Sequence, residues 1–262
     1  LNLRLLMRYK KYICICIMKP FYCRVGSKNL SSKDIVKLIP KHETYIEPFV
    51  GGGAVYWRKE PSETEVINDL DKDLVHDYRL IQRAPVGLEH YRKDLNSIKK
   101  LKFFISKKNI TVADKLTEAV IRRCNGFSSV YINNNKVYHN SNPYRKLKNI
   151  KSYKDRIKKT KILSQDYKKV ISSYDGPTAF FFLDPPYEES KTVYKHSGMD
   201  FIEFSKILKN MKGHFILTLN DSPHIRRLFK WAYIYTFDRR TVGHNNIGTK
   251  LKKEVIILNY KP

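Results

Sequence analysis

Four adjacent residues, Asp184-Pro185-Pro186-Tyr187, carry the densest chemistry in the chain. Asp184 offers acceptor oxygens, the Pro185 carbonyl is an acceptor whose direction the ring torsions fix, and Tyr187 offers a π face. The set suits a flat base with an exocyclic NH2 group: the acceptors hold its N–H groups while the ring stacks on it. The apolar run Phe180 to Leu183 just before it is long enough for one buried strand. Pro185 and Pro186 stop that strand, because neither can donate to a ladder. The tetrapeptide is therefore expected at a strand's carboxyl edge, where open α/β sheets hold their ligands.

Three upstream stretches complement it. Tyr45 to Val55 reads as a short strand running into Gly51-Gly52-Gly53. Glycines admit unusual torsions and close backbone approach, so a nucleoside or methionyl group can rest on bare N–H groups; a plain tight turn has the same composition. Glu47 beside this loop is either a structural cap or a ligand contact. Glu65 to Asp69 then forms a second strand, at a spacing that brings an acid to ribose hydroxyls in a strand-helix-strand unit. Asp69 is that acid, Asn68 is a candidate for holding the turn, and Asp71 and Asp73 read as helix caps. Lys161 to Tyr167 supplies a further short strand followed by Asp166, a loop cap or an acceptor for a purine amino group, with Tyr167 beside it.

Asp184-Pro185-Pro186-Tyr187 resembles the catalytic motif of amino-methylating DNA methyltransferases. Across residues 19 to 260 the order of motifs is similar to the D12-class adenine-N6 DNA methyltransferases related to bacterial Dam. The resemblance implies S-adenosylmethionine as cofactor, bound by Glu47, Phe49, Gly51, Gly52 and Gly53. It further implies ribose contact by Asp69, cofactor-adenine contact by Asp166 and Tyr167, and a shared role for Asp184 in the cofactor and catalytic sites. Lys19 to Lys28 resembles the family's N-terminal cofactor motif, which nominates Lys28 and Arg24; the family more often has an aromatic residue at the Arg24 position. Asn220-Asp221-Ser222 resembles a later motif near the target adenine. The implied fold is α/β: a Rossmann-like class I methyltransferase with a mostly parallel sheet of about seven strands and an antiparallel edge.

The charge balance points to a polyanionic partner. Lys and Arg number 51 against 25 Asp and Glu, a formal net charge of +26. Between residues 91 and 160 there are 19 basic residues and four acids, interspersed with Tyr131, Tyr138, Tyr144 and Tyr153. This stretch breaks the strand-helix alternation and reads mainly as helices at Val75 to Gln82, Gly87 to Ile98 and Val112 to Arg122. Asn133-Asn134-Asn135 between β-favouring flanks predicts a hairpin at 130 to 138, which resembles the family's target-recognition hairpin. The expected division is an extension at 1–17, a first core part at 18–74, an inserted target-recognition domain at 75–160 and a second core part at 161–262. Candidate contacts to double-stranded DNA are Arg122, Arg123, Asn125, Tyr131, Asn133, Asn135 and Lys136, with Arg239 and Arg240 opening a second basic loop that ends at Gly248.

The remaining elements follow the same plan. Ser31-Ser32-Lys33-Asp34 can cap a helix at Ile35 to Ile39, and Phe201 to Asn210 reads as another helix. Strands are expected at Gly213 to Leu219, Trp231 to Thr236 and Glu254 to Asn259, while polar Glu188 to Met199 reads as a loop able to close over substrate. Cys14, Cys16, Cys23 and Cys124 lack zinc-like spacing, so no metal and a reducing compartment are expected. The charges in residues 1 to 17 keep that stretch below membrane-spanning length, and with Met18 as a candidate start these residues read either as upstream translation or as a poorly ordered arm. A cytoplasmic or nucleoid-associated enzyme follows, with no obligate protein partner and a dimer on DNA open. Cytosine-N4 methylation uses the same amino-group chemistry, RNA and protein-glutamine methylation can use related tetrapeptides, and a non-catalytic DNA-binding module would keep only the basic insertion. The resemblance suggests a short palindrome such as GATC as target.

Overall fold

The computed structural model describes residues 18–22, 31–88, 103, 106, 111–125, 143–187, 199–241 and 250–262. In chain order these hold α1 (Ser32–Leu38), β1 (Thr44–Glu47), β2 (Thr64–Asn68), α2 (Lys72–Gln82), α3 (Val112–Asn125), α4 (Pro143–Lys148) and α5 (Ile150–Ile157). There follow β3 (Lys161–Leu163), α6 (Tyr167–Tyr174), β4 (Ala179–Leu183), α7 (Phe201–Lys209), β5 (His214–Asn220), α8 (Pro223–Leu228), β6 (Tyr233–Thr241) and β7 (Lys250–Leu258). Among the described residues the strands form one seven-stranded sheet, ordered β3-β2-β1-β4-β5-β7-β6. The first five in that order run parallel, and β7 is antiparallel to both of its neighbours. This is the Rossmann-like class I methyltransferase fold.

The sheet is buried on both faces, which is why its central strands are continuous apolar runs. In β4, Phe180 and Phe182 pack on one side with α1 to α5, while Ala179, Phe181 and Leu183 pack on the other with α6, α7 and α8. The period of two along one run thus feeds two cores. The described helices of the 75–160 stretch share the first core: Leu116, Val120, Leu147 and Ile157 lie in the same cluster as Tyr45 and Ile67.

Local signals set the helix starts. Asp71 caps α2 by accepting from Leu74 N at 3.0 Å, and Leu74, Tyr78 and Ile81 form its buried face. That helix begins at Lys72, so it runs across the expected 74/75 boundary. Asp200 caps α7 through Ile202 N and Glu203 N, and Ser222 with Pro223 starts α8. The helix expected at Ile35 to Ile39 starts earlier, at Ser32, with Ser31 as N-cap and no side-chain capping bond.

Two expectations shift at the far edge. Strands β6 and β7 run longer than expected and pair from Tyr233–Leu258 to Thr241–Lys250. Arg239 and Arg240 therefore sit in β6, opposite Lys252 and Leu251, and do not open a connector. Strand pairing carries on through the charged residues because an edge strand tolerates them. The expected hairpin at 130–138 and the polar loop at 188–198 lie outside the described residues.

Candidate active site

The sheet changes direction of winding between β1 and β4, which are neighbours although the chain reaches them far apart. A crevice at the carboxyl ends is built into such a switch point. Glu47 closes β1, Asp69 follows β2, Asp184 follows β4 and Asn220 closes β5, so the sheet gathers these four at one edge.

The glycine loop is tied down on its β2 side. Asp69 Oδ2 accepts from Gly51 N at 2.9 Å and Oδ1 from Asp71 N at 3.0 Å. Tyr78 Oη, from α2, donates to the Gly51 carbonyl at 2.9 Å. Gly51 and Gly53 have φ of 47° and 65°, where a side chain is strained. A Cβ at Gly53 would stand 3.0 Å from Tyr78 Oη and 3.1 Å from the Trp57 ring, whereas one at Gly51 would meet no described atom within 4 Å. Gly51 thus has its N–H and carbonyl tied to Asp69 and Tyr78 while the space at its Cα stays open, which lets a methionyl or ribosyl group approach closely. Asn68 does hold the turn: its amide donates to the Pro48 and Gln165 carbonyls, and its oxygen accepts from Gln165 N, all within 2.9 Å.

Four acids at this edge live in different surroundings. Glu47 is buried, accepts from Tyr45 Oη at 2.8 Å, and is pushed up to about 8 by burial, a rise that Asp184's charge reinforces and the Tyr45 bond opposes. Asp69 is half-buried and engaged with backbone. Asp184 is half-buried, and its Oδ1 accepts from Thr218 Oγ1 at 2.7 Å. Asp166 is exposed and caps α6 through Lys168 N at 2.8 Å, while Tyr167 packs on Phe49 at 5.4 Å and on Phe204 at 5.3 Å. Tyr187 Oη donates to Glu254 Oε1 at 3.1 Å.

The structure therefore brings Glu47, Phe49, Gly51, Gly52, Gly53, Asp69, Asp166, Tyr167, Asp184, Pro185, Pro186 and Tyr187 to one edge of the sheet. Arg24, Lys28, Tyr131, Asn133, Asn135 and Lys136 lie outside the described residues. Asn125 ends α3. Arg123 is a correction. It is 5% exposed, its Nε is ion-paired with the fully buried Asp77 of α2, and its guanidinium lies over the Tyr22 ring at 5.4 Å. An arginine committed to a buried carboxylate cannot also reach a phosphate. Arg122, half-buried, extends to the same Asp77 at 3.4 Å. Asp221 is likewise engaged by Arg226 in a two-pronged pair at 2.6 and 2.9 Å.

Sequence reading missed Thr218, Tyr78 and Glu254. Each is a polar residue in an otherwise apolar strand or helix face, and that is the signal that marks them. A second buried cluster sits at the opposite edge. Arg156 of α5 binds Glu65 of β2, which also takes Lys59 Nζ at 2.6 Å, and the Arg156 guanidinium lies over the Tyr56 ring at 4.3 Å. Burial alone would raise Glu65, but Arg156 and Lys59 together hold it below the usual carboxylate range.

Sheet order, glycine loop and the acid after β2 place the molecule among the S-adenosylmethionine-dependent class I methyltransferases. A family model for the D12 class of N6 adenine-specific DNA methyltransferases matches residues 25–242, and the chain belongs to that family. It is 28% identical to the Type II methyltransferase M1.LlaDCHI of Lactococcus lactis subsp. cremoris, over 93% of this chain and 96% of that one. The Type II methyltransferase M.CviBI of Paramecium bursaria Chlorella virus NC1A is 25% identical over 84% of this chain and 89% of its own. A DNA adenine methylase of Vibrio cholerae serotype O1 is 22% identical, over 89% and 93%. The chain is thus a DNA-binding enzyme that methylates adenine N6. Among the described residues no helix is long and apolar enough to cross a membrane.

Proposed function

We propose that this enzyme flips an adenine out of double-stranded DNA and methylates it at Asp184-Pro185-Pro186-Tyr187 by direct in-line transfer. The observation that carries this reading is the delivery of the tetrapeptide by β4 to the switch-point edge beside the glycine loop, with Asp184 oriented by Thr218. Asp184 and the Pro185 carbonyl accept the two N–H groups of the adenine amino group, which localises the nitrogen lone pair. Bound at this edge, the cofactor would supply a methyl group from a positively charged sulfur and keep the electron pair of the broken C–S bond on that sulfur, while Asp184 accepts the hydrogen bond along which N6 gives up its proton. Tyr187 stacks on the extruded base and offsets an unstacking cost of a few kcal/mol. Holding both reactants at contact distance supplies much of the acceleration.

For the cofactor, Gly51, Gly52 and Gly53 give backbone contact, Asp69 reaches the ribose, and Phe49, Tyr167 and Asp166 flank the adenine, with Glu47, Lys28 and Arg24 completing the site. The stretch beyond α2, with Asn125, Tyr131, Asn133, Asn135 and Lys136, reads the DNA, and Arg239, Arg240 and the exposed side of Arg122 add phosphate contacts. Buried Arg123 is not among them. The family's palindromic targets favour GATC, and the chain's resemblance to Type II methyltransferases favours a modification enzyme of a restriction system in a prokaryotic or viral setting. Methylation of a randomised DNA pool with mapping of every modified base tests the reading: N6-methyladenine in one short palindrome supports it, and N4-methylcytosine would replace it with cytosine chemistry.

A further inference from the structure

We infer that Glu254, on β7, is a positioning residue that fixes the plane of the Tyr187 ring for stacking on the target base. This rests on Tyr187 being the stacking platform.

The two prolines fix backbone torsions before Tyr187, but they leave its side-chain torsions unspecified. A half-buried ring at a strand end needs a second restraint if its face is to be presented to a base. Its hydroxyl supplies one by donating to Glu254 Oε1 at 3.1 Å. Glu254 is 0% exposed and heads the apolar run Val255 to Leu258. Its backbone is paired on both sides, with Asn220 of β5 and Phe237 of β6, so its carboxylate is anchored to the middle of the antiparallel part of the sheet. Burying a carboxylate there is costly, and an apolar side chain of similar volume would serve the core better. The cost is intelligible if the acid holds something in place. A phenol donating to a carboxylate is among the stronger neutral-to-charged bonds.

The arrangement repeats one strand away. Thr218, 0% exposed on β5, holds Asp184 at 2.7 Å as Glu254 holds Tyr187. Paired residues place these two supports near each other, since Thr218 is opposite Ile256 and Asn220 opposite Glu254. Both ends of the tetrapeptide are thus braced from beneath by side chains of adjacent strands.

The test is a double-mutant cycle on the full chain, with kcat and KM for DNA carrying the mapped target, cofactor Kd and Tm as readouts. Glu254→Ala should lower kcat/KM for DNA about tenfold, the weight of one hydrogen bond to a charged group, with cofactor Kd unchanged. Glu254→Gln, which keeps an acceptor at the same place, should recover most of that loss. In a Tyr187→Phe background Glu254→Ala should cost nothing further. The inference is overturned if Glu254→Ala costs as much in that background as in the wild type, if Gln behaves as Ala, or if Tm and cofactor affinity fall together with activity. Should Glu254→Ala fold poorly, Tyr187→Phe removes the same bond from the other side, and an unchanged kcat/KM in that variant also overturns it. Full turnover by Tyr187→Ala would instead refute the stacking role of Tyr187 itself, a separate failure.

Discussion

On the β1–β2 side of the carboxyl edge, the ties around the glycine loop run to backbone: Asp69 binds Gly51 N and Asp71 N, Asn68 spans two loops, and Tyr78 holds the Gly51 carbonyl. On the β4–β5–β7 side the ties run from side chain to side chain, Thr218 to Asp184 and Glu254 to Tyr187. The first kind of tie builds a rigid loop before any ligand arrives. The second leaves the main chain of the tetrapeptide to the prolines and tunes only the direction of the reacting groups. Damage on the first side should therefore appear as lost stability or cofactor affinity, and damage on the second as lost turnover.

The largest effect on the first side is expected from Arg123→Ala. The change removes the buried partner of Asp77 and leaves it only the half-buried Arg122 at 3.4 Å, on the same α2 helix that carries Tyr78. A loss on the order of 3–5 kcal/mol in denaturant unfolding is expected. The salt dependence of DNA binding should stay at the wild-type slope, because no phosphate contact disappears. A shallower slope with unchanged stability would return Arg123 to the DNA interface.

Asp69→Ala comes next. It removes the acceptor that closes the glycine loop, so cofactor affinity measured by calorimetry should fall about ten- to a hundredfold, with a lower Tm. Unchanged affinity would mean that the loop closes without the acid.

A further effect, seen only as a dependence on pH, concerns Glu47. Burial raises this carboxyl to about 8, so the folded protein keeps a proton that the unfolded chain gives up near the ordinary value of 4.5. The folded state then binds more protons between those two values, and this group's contribution to stability declines as pH rises through that window, levelling off above about 8. Glu47→Gln, measured without cofactor, should gain Tm relative to the wild type as pH rises across the window. A difference that stays constant with pH would show that Glu47 ionises normally.

Much of this edge was legible in the sequence because its signals are local. Phe180 to Leu183 ends at two prolines, three glycines follow a short strand, and Asp71 precedes an apolar face with helical spacing. What stayed hidden depends on residues distant in the chain. Arg123 looks like any exposed basic residue until Asp77, 46 positions away, is folded against it. Thr218 and Glu254 gain meaning from partners 34 and 67 positions away. Arg239 and Arg240 read as a loop because their charge obscures a strand that only pairing with β7 reveals.

The most direct test of the account is single-turnover transfer from radiolabelled cofactor to DNA, followed by nucleoside identification, for the wild type and Asp184→Asn. The wild type should place label in N6-methyladenine. Asp184→Asn should keep the fold and bind DNA, yet lose on the order of a hundred- to a thousandfold in rate, as a site does when it loses a principal electrostatic contact to the reacting group. Near-wild-type transfer by a well-folded Asp184→Asn would contradict the assignment of the chemistry to this tetrapeptide.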